Sequence, residues 1–269
     1  MRIITGCSRS GTSFVAQAIR HLGGDFGSSD ALIDGDRWNE RGYFENRDVN
    51  TLNHRLLFGR WSNPKLWVDI MWPNNVWIHI KKLTTIALAP ALCRPFLIQR
   101  RGRKLRQQII SLAEALDGRF VKDPRFSYLM QPWTAAVDLH SVVYVVRNPW
   151  EVARSMSRQT KLPLWAAYLG WLDAVEKFWR SPPDVPIHVV DYNAFFDPAR
   201  RESELLALAG FTNHNCGPQL TEQVFDSTFD DKLRTSVAQA VRLPKRVDMQ
   251  YRLLLEKTVS VVLDEPCQT

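Results

Sequence analysis

The chain has 269 residues, 45% hydrophobic and 23% charged, an ordinary composition for a globular protein. No apolar run reaches the roughly 20 residues that span a bilayer, and four scattered cysteines with no CxxC pair argue against a metal site or a disulfide framework. A formal net charge of +7 asks for an anionic partner: nucleic acid, a membrane surface or a phosphorylated small molecule.

The first predicted strand is "RIIT", beginning at Arg2 or Ile3. No signal peptide is expected ahead of it, so a cytoplasmic protein is expected. A glycine-containing loop leads into a helix on which Phe14, Val15, Ala18, Ile19 and Leu22 recur at helical spacing, and Gly23 and Gly24 stop it. Residues 30 to 100 are rich in Trp and Asn with mixed periodicity, which predicts an excursion of short helices. Much of the positive charge sits in "RPFLIQRRGRKLRQQ", where Arg94, Arg100, Arg101, Arg103, Lys104 and Arg106 cluster. That stretch reads either as a solvated loop entering a helix or as a grip on an anionic acceptor or cofactor. No zinc-finger spacing or RNA signature accompanies it, so no nucleic-acid partner is expected.

Leu105, Ile109, Leu112, Ala113 and Leu116 predict a helix over about 104–117, and "RFVKDPR" a short strand ending at Asp123-Pro124. The apolar run Val142 to Val146 predicts a buried parallel strand, with Asn148 as N-cap and Pro149 as the first residue of the next helix. An amphipathic helix follows at about 164–180, with Trp165, Tyr168, Leu172, Val175 and Trp179 on one face. "PIHVVDY" is a further strand, and "ESELLALAGF" a helix closed by Gly210. Without repeats or linkers, a single domain over 1–269 is expected. Strands alternating with helices predict a three-layer α/β fold, a mostly parallel sheet flanked by helices. Ligands of such sheets bind at the carboxyl ends of the strands, where the first loop and Arg147 both fall.

The loop Gly6-Cys7-Ser8-Arg9-Ser10-Gly11-Thr12-Ser13 fits the G-x4-G-K-[ST] phosphate loop except that Thr12 stands at the lysine position. In a nucleotide triphosphatase that lysine reaches the β and γ phosphates, and the hydroxyl after it binds magnesium. What remains is a nest of backbone N–H groups at a helix N-terminus, three hydroxyls, and a cation moved forward to Arg9. Such a loop suits a single phosphate or a phosphosulfate, and otherwise reads as a tight strand-to-helix turn. Arg147 and Ser155, eight apart, would lie about two helical turns from each other and offer a guanidinium fork and a hydroxyl to a second phosphate.

"SRSGTS", "KDPR" and "VVRNPWEVARS" together resemble the signatures of sulfotransferases that use 3′-phosphoadenosine 5′-phosphosulfate (PAPS). "RGYFENRDVNTLNHRLLFGRW" is similar to a "GYFE" segment of bacterial members, and the likeness continues in "DYNAFFDPARRESELLALAGF". The resemblance implies a P-loop NTPase-like fold and transfer of a sulfonate group to a hydroxyl or amine of a glycan or small-metabolite acceptor. It implies that Arg9, Ser10, Gly11, Thr12 and Ser13 hold the 5′-phosphosulfate, and that Arg147 and Ser155 hold the 3′-phosphate. Lys122 would contact the bridging oxygen and the moving sulfonyl group. Many relatives place a histidine base two residues after that lysine, where this chain has Pro124. The "GYFE" segment points instead to Glu45, whose apolar neighbours Tyr43 and Phe44 predict a raised pKa suited to a base; His54 and His79 stand in reserve. Phe229, Lys232 and Arg234 would help cover the adenosine, and Trp38, Trp61, Trp67, Trp72 and Trp77 are acceptor-side aromatics or core. The rival readings are an ATP-dependent kinase, drawing on Asp123 and Asp191 for magnesium, and a non-catalytic anion-binding protein.

Overall fold

Four short strands rich in β-branched residues pair into one parallel sheet in the computed structural model, which describes residues 1–35, 42–59, 94–160, 162–212 and 242–260. These are β1 (Arg2–Gly6), β2 (Phe120–Lys122), β3 (Ser141–Val146) and β4 (Ile187–Asp191), in the spatial order β2-β1-β3-β4. Every pairing is parallel, with Ile3 opposite Val121 and Val142, and Val146 opposite Asp191. Because side chains alternate across a strand, the sheet presents two apolar faces. Ile3, Val121, Val142, Tyr144 and Val189 face one core, and Ile4, Phe120, Val143, Val145 and Val190 the other.

Helices cover both faces. The first core takes in α2 (Arg47–Phe58), α3 (Pro95–Ala115), α4 (Phe126–Thr134), α6 (Leu164–Arg180) and α8 (Lys245–Ser260), together with Val152 of α5 (Pro149–Thr160). The second core takes in α1 (Thr12–His21) and α7 (Pro198–Thr212). Each large apolar side chain buried there contributes roughly 1.5–3 kcal/mol relative to exposure. The expected three-layer α/β arrangement is what forms. Among the described residues no helix is long and apolar enough to cross a membrane.

Several boundaries differ from expectation. α3 begins at Pro95 rather than near 104, since proline at the first helical position has no N–H to lose. The basic cluster is therefore helical from Pro95 onward. Arg101 turns inward and donates to the carbonyls of Leu56 and Leu57 at the end of α2. On α6, Trp165 is 67% exposed, while Trp171 and Phe178 occupy the buried stripe with Leu172 and Val175. α7 runs through Gly210 to Thr212. α4, with Pro132 inside it, and α8 were not expected. Cys7 is a free, buried thiol. His79, Phe229, Lys232, Arg234, Cys93, Cys216, Cys267 and the five tryptophans from Trp38 to Trp77 lie outside the described residues.

Candidate active site

The chain crosses from β2 on one side of β1 to β3 on the other, so the connections after β1 and β3 diverge and open a crevice at their carboxyl ends. Gly6, at the end of β1, leads into the loop, and Arg147 follows the last residue of β3. Two hydroxyls tie β1 to its neighbour: Thr5 donates to the Asp123 carbonyl at 3.0 Å and Ser127 to the Gly6 carbonyl at 3.0 Å.

In the loop, Arg9 and Gly11 take positive φ of 72° and 90°, and Ser10 N–H donates back to the Cys7 carbonyl. This curls the backbone and delivers Gly11 as N-cap of α1. Glycine carries no side chain to cap the helix, so the first N–H groups of α1 are left for something else. Thr12 is buried and Ser13 half-buried beside them. Ser10 is 1% exposed, and its hydroxyl has no hydrogen-bond partner among the described residues. An orphaned buried hydroxyl next to an uncapped helix N-terminus is what a loop built around an anion retains.

Arg147 reaches back over this loop. Its Nη1 donates to the Arg9 carbonyl at 3.4 Å, and its guanidinium lies over the Tyr192 ring, 4.5 Å from the centroid. Its Nε is taken by Glu151, one turn along α5, at 2.8 Å. Asn193 holds the other oxygen of Glu151 at 3.3 Å and accepts from the Asn148 N–H at 2.9 Å. Ser155, a further turn along, accepts from Arg9 Nε at 3.0 Å. Arg9, Arg147 and Ser155 thus form one cluster, with Arg9 bridging the loop and the α5 hydroxyl. Asn148 also caps α5 through Trp150 N–H at 2.9 Å.

Across the loop, at the end of β2, stands a second cluster. Lys122 is 2% exposed and its Nζ lies 2.8 Å from Glu45 Oε1. Glu45 is fixed from its own side by Ile33 N–H, which donates to its carbonyl at 2.8 Å. The preceding Phe44 sits at φ 55°, an uncommon setting for a non-glycine residue. Its ring packs on Phe26 in the core, 5.7 Å between centroids. Asn46 then caps α2 through the N–H groups of Asp48 and Val49. Burial raises the pKa of Glu45, but the Lys122 and Arg125 cations outweigh it and hold the carboxyl below its ordinary range. That corrects the raised pKa expected from its apolar neighbours: the aromatic side chains flank the turn, but the carboxylate meets cations. His54 stands on α2 with its ring against Phe58, 4.8 Å between centroids.

The loop residues, Arg147, Ser155, Lys122 and Glu45 stand at the carboxyl edge of the sheet, while His54 lies along α2 against Phe58. The motifs alone do not single out Arg125, Asn50, Glu151, Tyr192 and Asn193, which hold Glu45 and Arg147 in place. Two signals were in view, the arginine closing "KDPR" and the glutamate four residues after Arg147, at the spacing of a helical ion pair.

No family model matches the chain, and no curated protein matches it. Among solved structures, the sulfotransferase domain from the Synechococcus PCC 7002 olefin synthase is similar at 14% identity, over 99% of this chain and 95% of that one, with a TM-score of 0.46.

Proposed function

We propose that the protein is a sulfotransferase that takes its sulfonyl group from PAPS and passes it to a hydroxyl or amine of a small-molecule or glycan acceptor. The observation that carries this reading is the order of groups along the carboxyl edge of the sheet. Lys122 and Glu45 stand at β2, the anion loop at β1, and Arg147 with Ser155 beyond β3, on strands that are immediate neighbours. Neighbouring strands lie about 4.8 Å apart. The donor has the same linear order: a sulfonyl end, the 5′-phosphate, the ribose and the 3′-phosphate.

The loop from Arg9 to Ser13 would hold the 5′-phosphosulfate through its N–H groups and the orphaned Ser10 hydroxyl. Arg147 and Ser155 would hold the 3′-phosphate, with Arg9 between the two anions. When bound, PAPS supplies the sulfonyl group: the acceptor oxygen or nitrogen bonds to sulfur as the bond from sulfur to the 5′-phosphate oxygen breaks, the electron pair leaving on the bisphosphate. Turned from Glu45 toward that oxygen, Lys122 offsets the developing charge and frees Glu45 Oε1 to accept the acceptor's proton. A kinase reading would require carboxylates for magnesium at the strand ends. Asp123 is already engaged by Asn53 and Arg125, and Asp191 by Arg200 and the Asn193 N–H.

A thermal-shift titration tests the proposal. Adenosine 3′,5′-bisphosphate should stabilise the protein by about 2.7 kcal/mol at one hundred times its dissociation constant, and ATP with magnesium should not. Arg147→Ala should weaken the bisphosphate about 10- to 100-fold, through loss of a charge-assisted contact of roughly 1.5–3 kcal/mol. Stabilisation by ATP-magnesium alone would overturn the proposal in favour of a kinase.

A further inference from the structure

The two oxygens of Glu45 are not equivalent. Among the described residues Oε1 accepts one hydrogen bond, from Lys122 Nζ at 2.8 Å. Oε2 accepts two, from Asn50 Nδ2 at 2.7 Å and from Arg125 Nη2 at 2.9 Å. Two donors fill the lone-pair positions of a carboxylate oxygen, so Oε2 has no place for a proton and Oε1 has one.

Arg125 is itself immobilised. Its backbone N–H and Nε both donate to Asp123 Oδ1, at 2.8 and 2.9 Å, and its Nη1 donates to the Asn50 carbonyl at 3.2 Å. Asp123 Oδ2 accepts from Asn53 Nδ2 at 2.8 Å, and Asn53 Oδ1 accepts from Trp133 Nε1 at 2.9 Å. Asp123, Asn53 and Trp133 are fully buried. A continuous chain of hydrogen bonds therefore runs from a core tryptophan to the outer oxygen of Glu45, anchored in α2, α4 and the end of β2. Such networks fix geometry when every member is satisfied.

Resting on the sulfotransferase reading above, we propose that Arg125 is a positioning residue for Glu45: with Asn50 it locks Oε2, so that the acceptor's proton passes to Oε1 once Lys122 has turned away. Among the described residues the charged groups around the carboxylate are Lys122 from β2, Arg125 from the β2–α4 junction and the neighbouring anion Asp123, with Asn50 of α2 and Tyr43 of the preceding loop beside them. When Lys122 leaves, Arg125 is the cation that remains among the described residues. Without it a buried carboxylate beside Asp123 would take a proton from water and arrive at the acceptor already protonated.

The test is the titration of Glu45 itself, read by the carboxyl resonance of protein labelled with 13C-glutamate and assigned by its absence in Glu45→Gln. Arg125→Gln should raise the midpoint by about one to two pH units. Arg125→Lys, which keeps the charge but loses the fork, should raise it by roughly half as much. A wild-type midpoint in either folded variant overturns the assignment. Both variants should keep the wild-type thermal shift with adenosine 3′,5′-bisphosphate, because Arg125 touches neither anion subsite; loss of that shift in a folded variant also overturns it. If the wild type shows no shift with the bisphosphate, the sulfotransferase reading fails on its own, while the titration still reports whether Arg125 governs Glu45. With an acceptor in hand, the acid limb of kcat/KM should move by the same amount in Arg125→Gln, with KM for PAPS unchanged.

Discussion

Tyr192 is one of the residues through which the loop and Arg147 touch. One face of its ring carries the Arg147 guanidinium, and its edge lies where a side chain on Gly11 would have to go. A Cβ at position 11 would stand 2.1 Å from Tyr192 Cδ2, and Gly11 also holds φ at 90°, where L-residues are strained. Gly11→Ala should therefore do more than distort the loop. It should push Tyr192 from beneath Arg147 and weaken adenosine 3′,5′-bisphosphate at least as much as Arg147→Ala does. Calorimetric titration of both variants checks this, and a Gly11→Ala protein with wild-type affinity would refute it. The candidate residues were legible in the sequence because phosphate loops demand glycine and hydroxyls at fixed spacing. Their settings were not. Glu45 stood in a string with Tyr43 and Phe44 that promised an apolar pocket, yet its partners Lys122 and Arg125 are 77 and 80 positions away in the chain. The charge state of a buried carboxylate depends on such long-range neighbours, which local spacing does not encode.

The helices α3 and α4 show what fixes the wall behind that site. They meet at Gly102, where an added Cβ would lie 2.6 Å from Pro132 Cβ. Proline's ring cannot swing aside as a lysine tip would. In an open helix, Gly→Ala would stabilise by roughly 0.5–1 kcal/mol. Here overpacking, typically about 1–3 kcal/mol, should win and Gly102→Ala should lower stability. Urea unfolding checks the sign; a stabilised variant would mean that the two helices separate at little cost. The same contact explains part of what pattern reading missed. Pro132 within "FSYLMQPWT" argues against a helix, but it lies in a nine-residue helix whose other side packs Phe126, Leu129 and Trp133 into the core. By contrast β1, β3 and α5 were legible almost to the residue. Their signals are local: a β-branched run for each strand, and for the helix an Asn-Pro start whose cap forms as expected. α3 starts earlier than its apolar pattern suggests, because its row of basic residues reads as loop, whereas arginine and lysine are good helix formers.

A buried histidine and a half-buried glutamate on the β4 side set opposing demands on the pH at which the protein is most stable. His188 is buried against Phe211 with both ring nitrogens unpartnered among the described residues, and burial pulls its pKa from 6.5 down to about 4. On acidification the unfolded chain takes up that proton first, so this group's contribution to stability falls as pH drops from about 6.5 to 4. Glu204 behaves in the opposite sense. Burial, with the Asp191 carboxylate nearby and only partial relief from Arg200, raises its pKa from 4.5 to about 7. The native chain then keeps a proton that the unfolded chain has lost, so its contribution falls as pH rises from about 4.5 to 7. Each effect is on the order of 3 kcal/mol across its window, and between about pH 4.5 and 6.5 the two nearly offset each other. Removing one should expose the other. His188→Leu should gain stability over wild type, by about 2–3 kcal/mol more at pH 4.5 than at pH 7.5, because the charging penalty it removes exists only on the acid side. Glu204→Gln should show the reverse, gaining more at pH 7.5 than at pH 4.5. Denaturant unfolding of the three proteins at the two pH values decides the matter: a gain in His188→Leu that does not depend on pH would show that its imidazole finds a proton-accepting partner or water, and that the cost at position 188 is packing rather than charge.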